Sequence, residues 1–177
     1  MIELKPLIVE EGIDLNSNYQ NRKTVRGIIM NGEHQILLAY SPFFQDYTFP
    51  GGGVRSGETE IDALKRELKE EIGALNIEIL NPLFSVSELK YGLNGNNHIY
   101  LQTSIYYLIK VIHFGEQELV GREIKHGIHP VWITPDEAIK QNRAVLTDQN
   151  HQQKGLKTVL IRENRVLTHL KENSIHA

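Results

Sequence analysis

Apolar positions along this chain follow two rhythms, one extended and one helical. Thr24 to Met30 is β-branched and apolar, and Gln35 to Tyr40 is similar. Asn31-Gly32 between them is a hairpin signal with a loop of about four residues. Asn76 to Lys90 and His98 to Ile112 are long strand-like stretches, and Tyr91-Gly-Leu-Asn-Gly-Asn-Asn97 supplies turn chemistry. The helical rhythm first appears at Ile61, Leu64, Leu68 and Ile72, one stripe of a helix that starts near Thr59 or Glu60 and stops at Gly73. Val131 to Ile133 reads as a short strand. It runs into Thr134-Pro135-Asp136-Glu137, a capping box with proline at the first helical position, which predicts a helix over 135–142. Leu156, Val159, Leu160, Leu167 and Leu170 share one face of a last helix. The alternation predicts one mixed α/β domain over residues 1–177, with helices packed on a mixed, largely antiparallel sheet. Residues 1–20 stand before it as an N-terminal extension or extra strand.

Composition narrows the function classes. A chain of 177 residues, 40% hydrophobic, suffices for one sizeable core. Net charge is −3, so the electrostatic footprint of a general nucleic-acid binder is missing. The absence of cysteine excludes disulfides, thiol catalysis and thiolate zinc sites, and fits a cytoplasmic location. Met1 to Glu10 lacks the basic start and long apolar centre of a signal peptide, and no run of 18 apolar residues predicts a membrane span.

The chemistry concentrates in Phe49 to Ala74, FPGGGVRSGETEIDALKRELKEEIGA. Gly51-Gly52-Gly53 lets a ligand or ion approach the main chain closely. Glu67, Glu70 and Glu71 are spaced i, i+3, i+4 and so form one cluster on the helix. At 100° per residue its centre lies roughly 110° from the apolar stripe, at the edge of the buried face. Three like charges there repel, and a hard divalent cation with a preference for carboxylate oxygens would offset this. A Glu-Glu pair or a glycine run alone is ordinarily a solvated face or a turn; the conjunction is what carries the argument.

That conjunction resembles the Nudix box, G-x5-E-x7-R-E-U-x-E-E-x-G-U with U apolar. Gly52, Glu58, Arg66, Glu67, Glu70, Glu71 and Gly73 match its fixed positions, with Leu68 and a small Ala74 at the apolar ones. At about 7% usage per residue type, those fixed identities coincide by chance about once in 10⁸ placements. The resemblance implies an α/β/α sandwich and metal-dependent hydrolysis, with Mg²⁺ or Mn²⁺, of a diphosphate linkage in a nucleoside diphosphate joined to another group. By position it implies Glu67 and Glu71 as metal ligands and Glu70 as a ligand or the holder of the attacking water. The Gly51 carbonyl is a further ligand, and Glu58 with Arg66 braces the helix. In some relatives the general base is a glutamate on a loop before the tryptophan-containing strand. Glu123, nine residues before Trp132, takes that place here, with Glu116 and Glu118 as alternatives.

Substrate signals outside the box are thin. Phe44 and Tyr47, in the aromatic-rich Ser41-Pro-Phe-Phe-Gln-Asp-Tyr47, are candidates to stack on a base. Tyr91 stands where diadenosine-polyphosphate hydrolases of the family carry a tyrosine. Leu89 and Lys90 stand where ADP-ribose pyrophosphatases carry a proline. Asn150 and Gln152 are candidates to read a purine edge or to cap the last helix. His126 and His129 read as surface residues rather than metal ligands. The expected partner is a small nucleotide-type molecule, with homodimers common in the family and neither nucleic acid nor membrane expected. The other readings are a catalytically silent sensor of nucleotides or sugar nucleotides and an isoprenoid diphosphate isomerase, whose chemistry uses a cysteine that this chain lacks.

Overall fold

A computed structural model describes residues 1–93 and 97–173. Strands β1 (Ile2–Glu3), β2 (Ile8–Val9), β3 (Gln20–Ile28), β4 (Ile36–Ser41) and β5 (Asp46–Thr48) precede helix α1 (Glu60–Ile72). After it come β6 (Ile77–Tyr91), β7 (Ile99–Val111), α2 (Arg122–His126), β8 (His129–Ile133), α3 (Pro135–Thr147) and α4 (Leu156–Glu172).

The strands divide between two sheets. One has the order β1-β6-β7-β3, with β2 also paired to β6; the other has the order β5-β4-β8. The long β6–β7 ladder is antiparallel, as are both ladders of the smaller sheet, whereas β1, β2 and β3 pair in parallel. The hairpin expected between 24–30 and 35–40 holds only at its turn. Met30 bridges Ile36 and Asn31 Oδ1 accepts the Glu33 and Gln35 N–H groups, but beyond that point β3 joins β7 and β4 joins β5 and β8. Each strand forms a longer ladder elsewhere than this single bridge, and that pairing overrides the local signal. Part of the 91–97 turn lies outside the described residues.

Side-chain alternation on the strands feeds two apolar layers. Val25 and Ile29 of the β3 segment and Ile105, Tyr107 and Ile109 of β7 pack with Leu64, Leu68 and Ile72 of α1. Ile28 and Tyr106 face the opposite way, toward Ala138 and Ile139 of α3 and Val166, Leu167 and Leu170 of α4. Sheet therefore lies between α1 on one side and α3 with α4 on the other. The Thr134 capping box is formed, and α3 continues five residues beyond the predicted end because Asn142 and Val145 are also buried. The N-terminal extension adds β1 and β2 to the edge of β6, seating Leu4 and Ile8 in the core.

Candidate active site

Helix α1 begins where the Thr59 side chain accepts the Asp62 N–H and ends at Gly73 in the left-handed region, φ 66°. A Cβ on Gly73 would stand 2.3 Å from the Gly115 carbonyl oxygen, so the stop is fixed by close approach as well as by dihedral angle. These two ends set which residues of α1 face inward. Glu67 and Glu71 are both 8% exposed, at the border of the apolar stripe where helical geometry puts them.

Glu123, carried on the short α2 rather than on a loop, comes to meet them. Ligand oxygens of Glu67, Glu71 and Glu123 lie within 4.8 Å of one another. Glu71 joins the cluster to the glycine turn. Its Oε2 accepts the Gly51 N–H at 2.7 Å. Burial pushes its pKa up to about 8, with Glu67 and Glu123 adding to the rise, although Arg26 and the Gly51 N–H oppose it. Burial also raises Glu123, with Glu67 and Glu70 contributing, against a hydrogen bond from the Val120 N–H. Three carboxylates converge here against the one guanidinium paired with Glu67, that of Arg66, and the donors are all hard carboxylate oxygens. Both properties suit Mg²⁺ or Mn²⁺. Gly52 leaves the space this requires: a Cβ there would lie 2.4 Å from the Glu67 carboxyl carbon.

The other box residues brace this group. Arg66 donates from Nε and Nη2 to the two oxygens of Glu58 at 2.8 and 3.0 Å, to the Gly53 carbonyl at 3.1 Å, and to Glu67 at 2.6 Å. The Arg66 hydrogen bonds, with the Arg55 N–H, hold the Glu58 carboxyl down to about 2. Glu70 lies outside the three-carboxylate group, 3.6 Å from Arg66 Nη1. The Gly51 carbonyl, expected as a ligand, accepts a hydrogen bond from Arg26 Nη1, which also holds the Phe49 carbonyl at 3.0 Å. Glu116 and Glu118 are exposed, and Glu118 pairs with Lys69 at 2.9 Å, so neither joins the cluster.

Glu71 and Glu123 line a cleft of about 410 Å³ whose lining also includes Arg22, Arg26, Arg122 and, at its buried floor, Arg162. Phe44 forms part of its wall with His126, whose ring stacks on Phe43 at 4.7 Å and meets Phe44 edge-on at 4.9 Å. His126 is therefore a wall residue rather than a free surface group; His129 is exposed. The structure does not bring Tyr47, Tyr91 or Asn150 to this cleft. Tyr47 alternates away from it on β5 and packs on Tyr40 at 4.8 Å. Tyr91 ends β6 beside the N-terminal segment, its N–H donating to Glu10 and its ring under Lys154. Asn150 closes a turn onto Asp148, and Gln152 donates to the Asp148 carbonyl; Gln153 is the neighbour that lines the cleft. The four arginines and Asp46 carry no local sequence signal, because they reach the site from β3, α2, α4 and β5 through tertiary contacts.

A family model described as NUDIX domain matches residues 20–154. The chain belongs to the Nudix family. Membership places it among hydrolases of phosphorus-containing anhydrides. An RNA pyrophosphohydrolase of Sulfurovum sp. is 32% identical over 134 residues, 69% of this chain and 85% of that protein. An 8-oxo-dGTP diphosphatase of Haemophilus influenzae is 52% identical over 59 residues, 30% of this chain and only 43% of that protein's length. Among solved structures, a Nudix hydrolase from Nitrosomonas europaea superposes with a TM-score of 0.53 at 20% identity, covering 89% of this chain and 97% of the other. A UDP-X diphosphatase gives 0.52 at 12% identity, covering 90% and 67%. At those identities the likeness establishes the shared fold. No helix among the described residues is long and apolar enough to cross a membrane.

Proposed function

We propose that this Nudix protein hydrolyses a diphosphate linkage in a nucleoside diphosphate joined to another group, using Mg²⁺ or Mn²⁺ at Glu67 and Glu71. One juxtaposition carries the reading: a compact set of carboxylates, Glu67, Glu71 and Glu123, meets through Glu71 and Glu123 a cleft lined by four arginines. Acid and base side by side suit a cation and a polyanion bound together. When bound, the ion supplies Lewis-acid chemistry, neutralising phosphate charge and making water more acidic. The chain's own residues do the rest. Arg22, Arg26 and Arg122 attract and orient the phosphate oxygens. Glu58 and Arg66 hold Glu67 in place, and the Gly51 N–H holds Glu71. Glu123 takes the proton of the attacking water, and Glu70, at the rim of the cluster, orients that water. A proton acceptor within reach is what this step needs. The Phe44 and His126 wall offers an aromatic surface to the rest of a nucleotide.

The test is phosphate and pyrophosphate release, with product masses, from a panel of dNTPs, oxidised dGTP, diadenosine polyphosphates, ADP-ribose, nucleotide sugars and NADH. Each is run with Mg²⁺, with Mn²⁺ and with chelator. Turnover is expected only with a divalent cation, and a fall of at least about 10³-fold is expected in Glu71→Gln, on the scale of losing one electrostatic catalytic group. The glutamine keeps an acceptor for the Gly51 N–H, so its fold should persist. Tight binding of one panel member without turnover would replace this reading with a nucleotide sensor.

A further inference from the structure

The cleft also holds an acid that the hydrolytic chemistry leaves unused. Asp46 is 3% exposed and lines the cleft from β5. Strand alternation puts Thr48 on the same face and turns Tyr47 away, so Asp46, Thr48 and Gly51 form a track toward Glu71. Five residues of chain span at most about 17 Å, the scale of a nucleoside diphosphate. Apart from its own backbone N–H, nothing among the described residues donates a hydrogen bond to the Asp46 carboxyl. Its buried neighbour Glu163 differs in this respect, being bonded by Arg162 and the Phe49 N–H. That leaves the Asp46 carboxyl with acceptor capacity for a donor brought into the cleft.

The surroundings select among donors. Phosphate is repelled by a carboxylate and is drawn instead to the arginines Arg22, Arg26 and Arg122 of the same cleft. The half-buried Phe44, with His126 against it, gives the cleft a ring-sized aromatic wall. A planar base with two adjacent N–H groups fits such a place, because a carboxylate accepts two parallel donors and has none to offer. Resting on the nucleotide reading above, we propose that Asp46 selects the base of the substrate, its carboxylate accepting the ring N–H and amino N–H of a guanine-type base.

Calorimetric titration of the full chain with GMP, IMP and AMP tests this without turnover or metal. IMP lacks the amino donor, and AMP presents an acceptor where GMP presents a donor. At pH 8.5, above the value of about 7 to which burial and Glu163 raise this carboxyl, GMP should bind at least about tenfold tighter than IMP, with AMP weaker still. Asp46→Asn, its fold checked by thermal melting, should lose that order. A parallel arm compares kcat/KM for dGTP and dITP with Mg²⁺. Equal binding of the three monophosphates by the unmodified protein overturns the proposal, as does an unchanged preference in Asp46→Asn. Base-blind binding with intact hydrolysis defeats this inference alone. Absence of both binding and hydrolysis for every nucleotide defeats the nucleotide reading beneath it.

Discussion

Gly52 shows most directly how one residue shapes this site. Its missing side chain is the space in which the Glu67 carboxylate sits, since a Cβ would stand 2.4–2.5 Å from all three atoms of that group. The obstruction is the far end of a flexible side chain rather than backbone, so the chain can yield by turning Glu67 aside. Gly52→Ala should therefore fold with a melting temperature close to that of the unmodified protein, yet lose about 10²-fold or more in kcat, because the displaced group belongs to the catalytic cluster. Differential scanning calorimetry beside steady-state kinetics checks both halves. A large fall in melting temperature with proportionate activity in the folded fraction would show that Gly52 matters to the backbone instead. The glycine itself was legible in the sequence as a box position. Its reason was not, because the carboxylate that fills the gap comes from fifteen residues further along the chain.

At the scale of elements, the loop before α1 and the helix itself act as one body. Arg66 joins them, with two bonds to Glu58 in the loop, one to the Gly53 carbonyl and one to Glu67 on the helix. Only a planar guanidinium makes these bonds at once; an ammonium is a point donor on a flexible stem. Arg66→Lys keeps the charge and should still lower kcat, or the apparent affinity for divalent cation, by about 10- to 100-fold, the range found when groups that orient metal ligands are altered. Titration of activity against Mg²⁺ reads the effect, and an unchanged titration would show that charge alone sufficed. Much at this scale was readable beforehand. The start and stop of α1, the Thr134 cap and the long β6 and β7 strands all follow local rules of capping, propensity and alternation. The partition of strands into two sheets does not. Asn31-Gly32 fixes a turn, but the strand that β3 pairs with is β7, eighty residues further along.

The molecule as a whole is tied together by a buried charge network that no periodicity reveals. Arg162 on α4 is 1% exposed and donates to Glu88 on β6 at 2.6 Å, to Ser104 on β7 at 3.2 Å and to Glu163 beside it. Glu163 in turn accepts the Phe49 N–H that leads into the glycine turn, so the last helix, the central sheet and the catalytic loop share one cluster. Burial opposes the Glu88 charge, but Arg162 and then Lys90 outweigh it and hold its carboxyl below the usual carboxylate range. The sign of the linkage follows. In the intact protein Glu88 contributes stability above its unfolded pKa and loses it only as pH falls through its lower folded value. Arg162→Met reverses this, for it fills similar space but leaves Glu88 buried with less compensation, and burial then raises its folded value. Breaking such a cluster costs about 3–5 kcal/mol, a fall of roughly 6–20 °C in melting temperature for a domain of this size. Because the variant's native state takes up protons that its unfolded state releases, the deficit should be larger at pH 8 than at pH 5. Urea unfolding at the two pH values measures it. A deficit independent of pH would assign the loss to packing of the arginine stem rather than to the charges, and a deficit under 1 kcal/mol would show that water relieves the cluster.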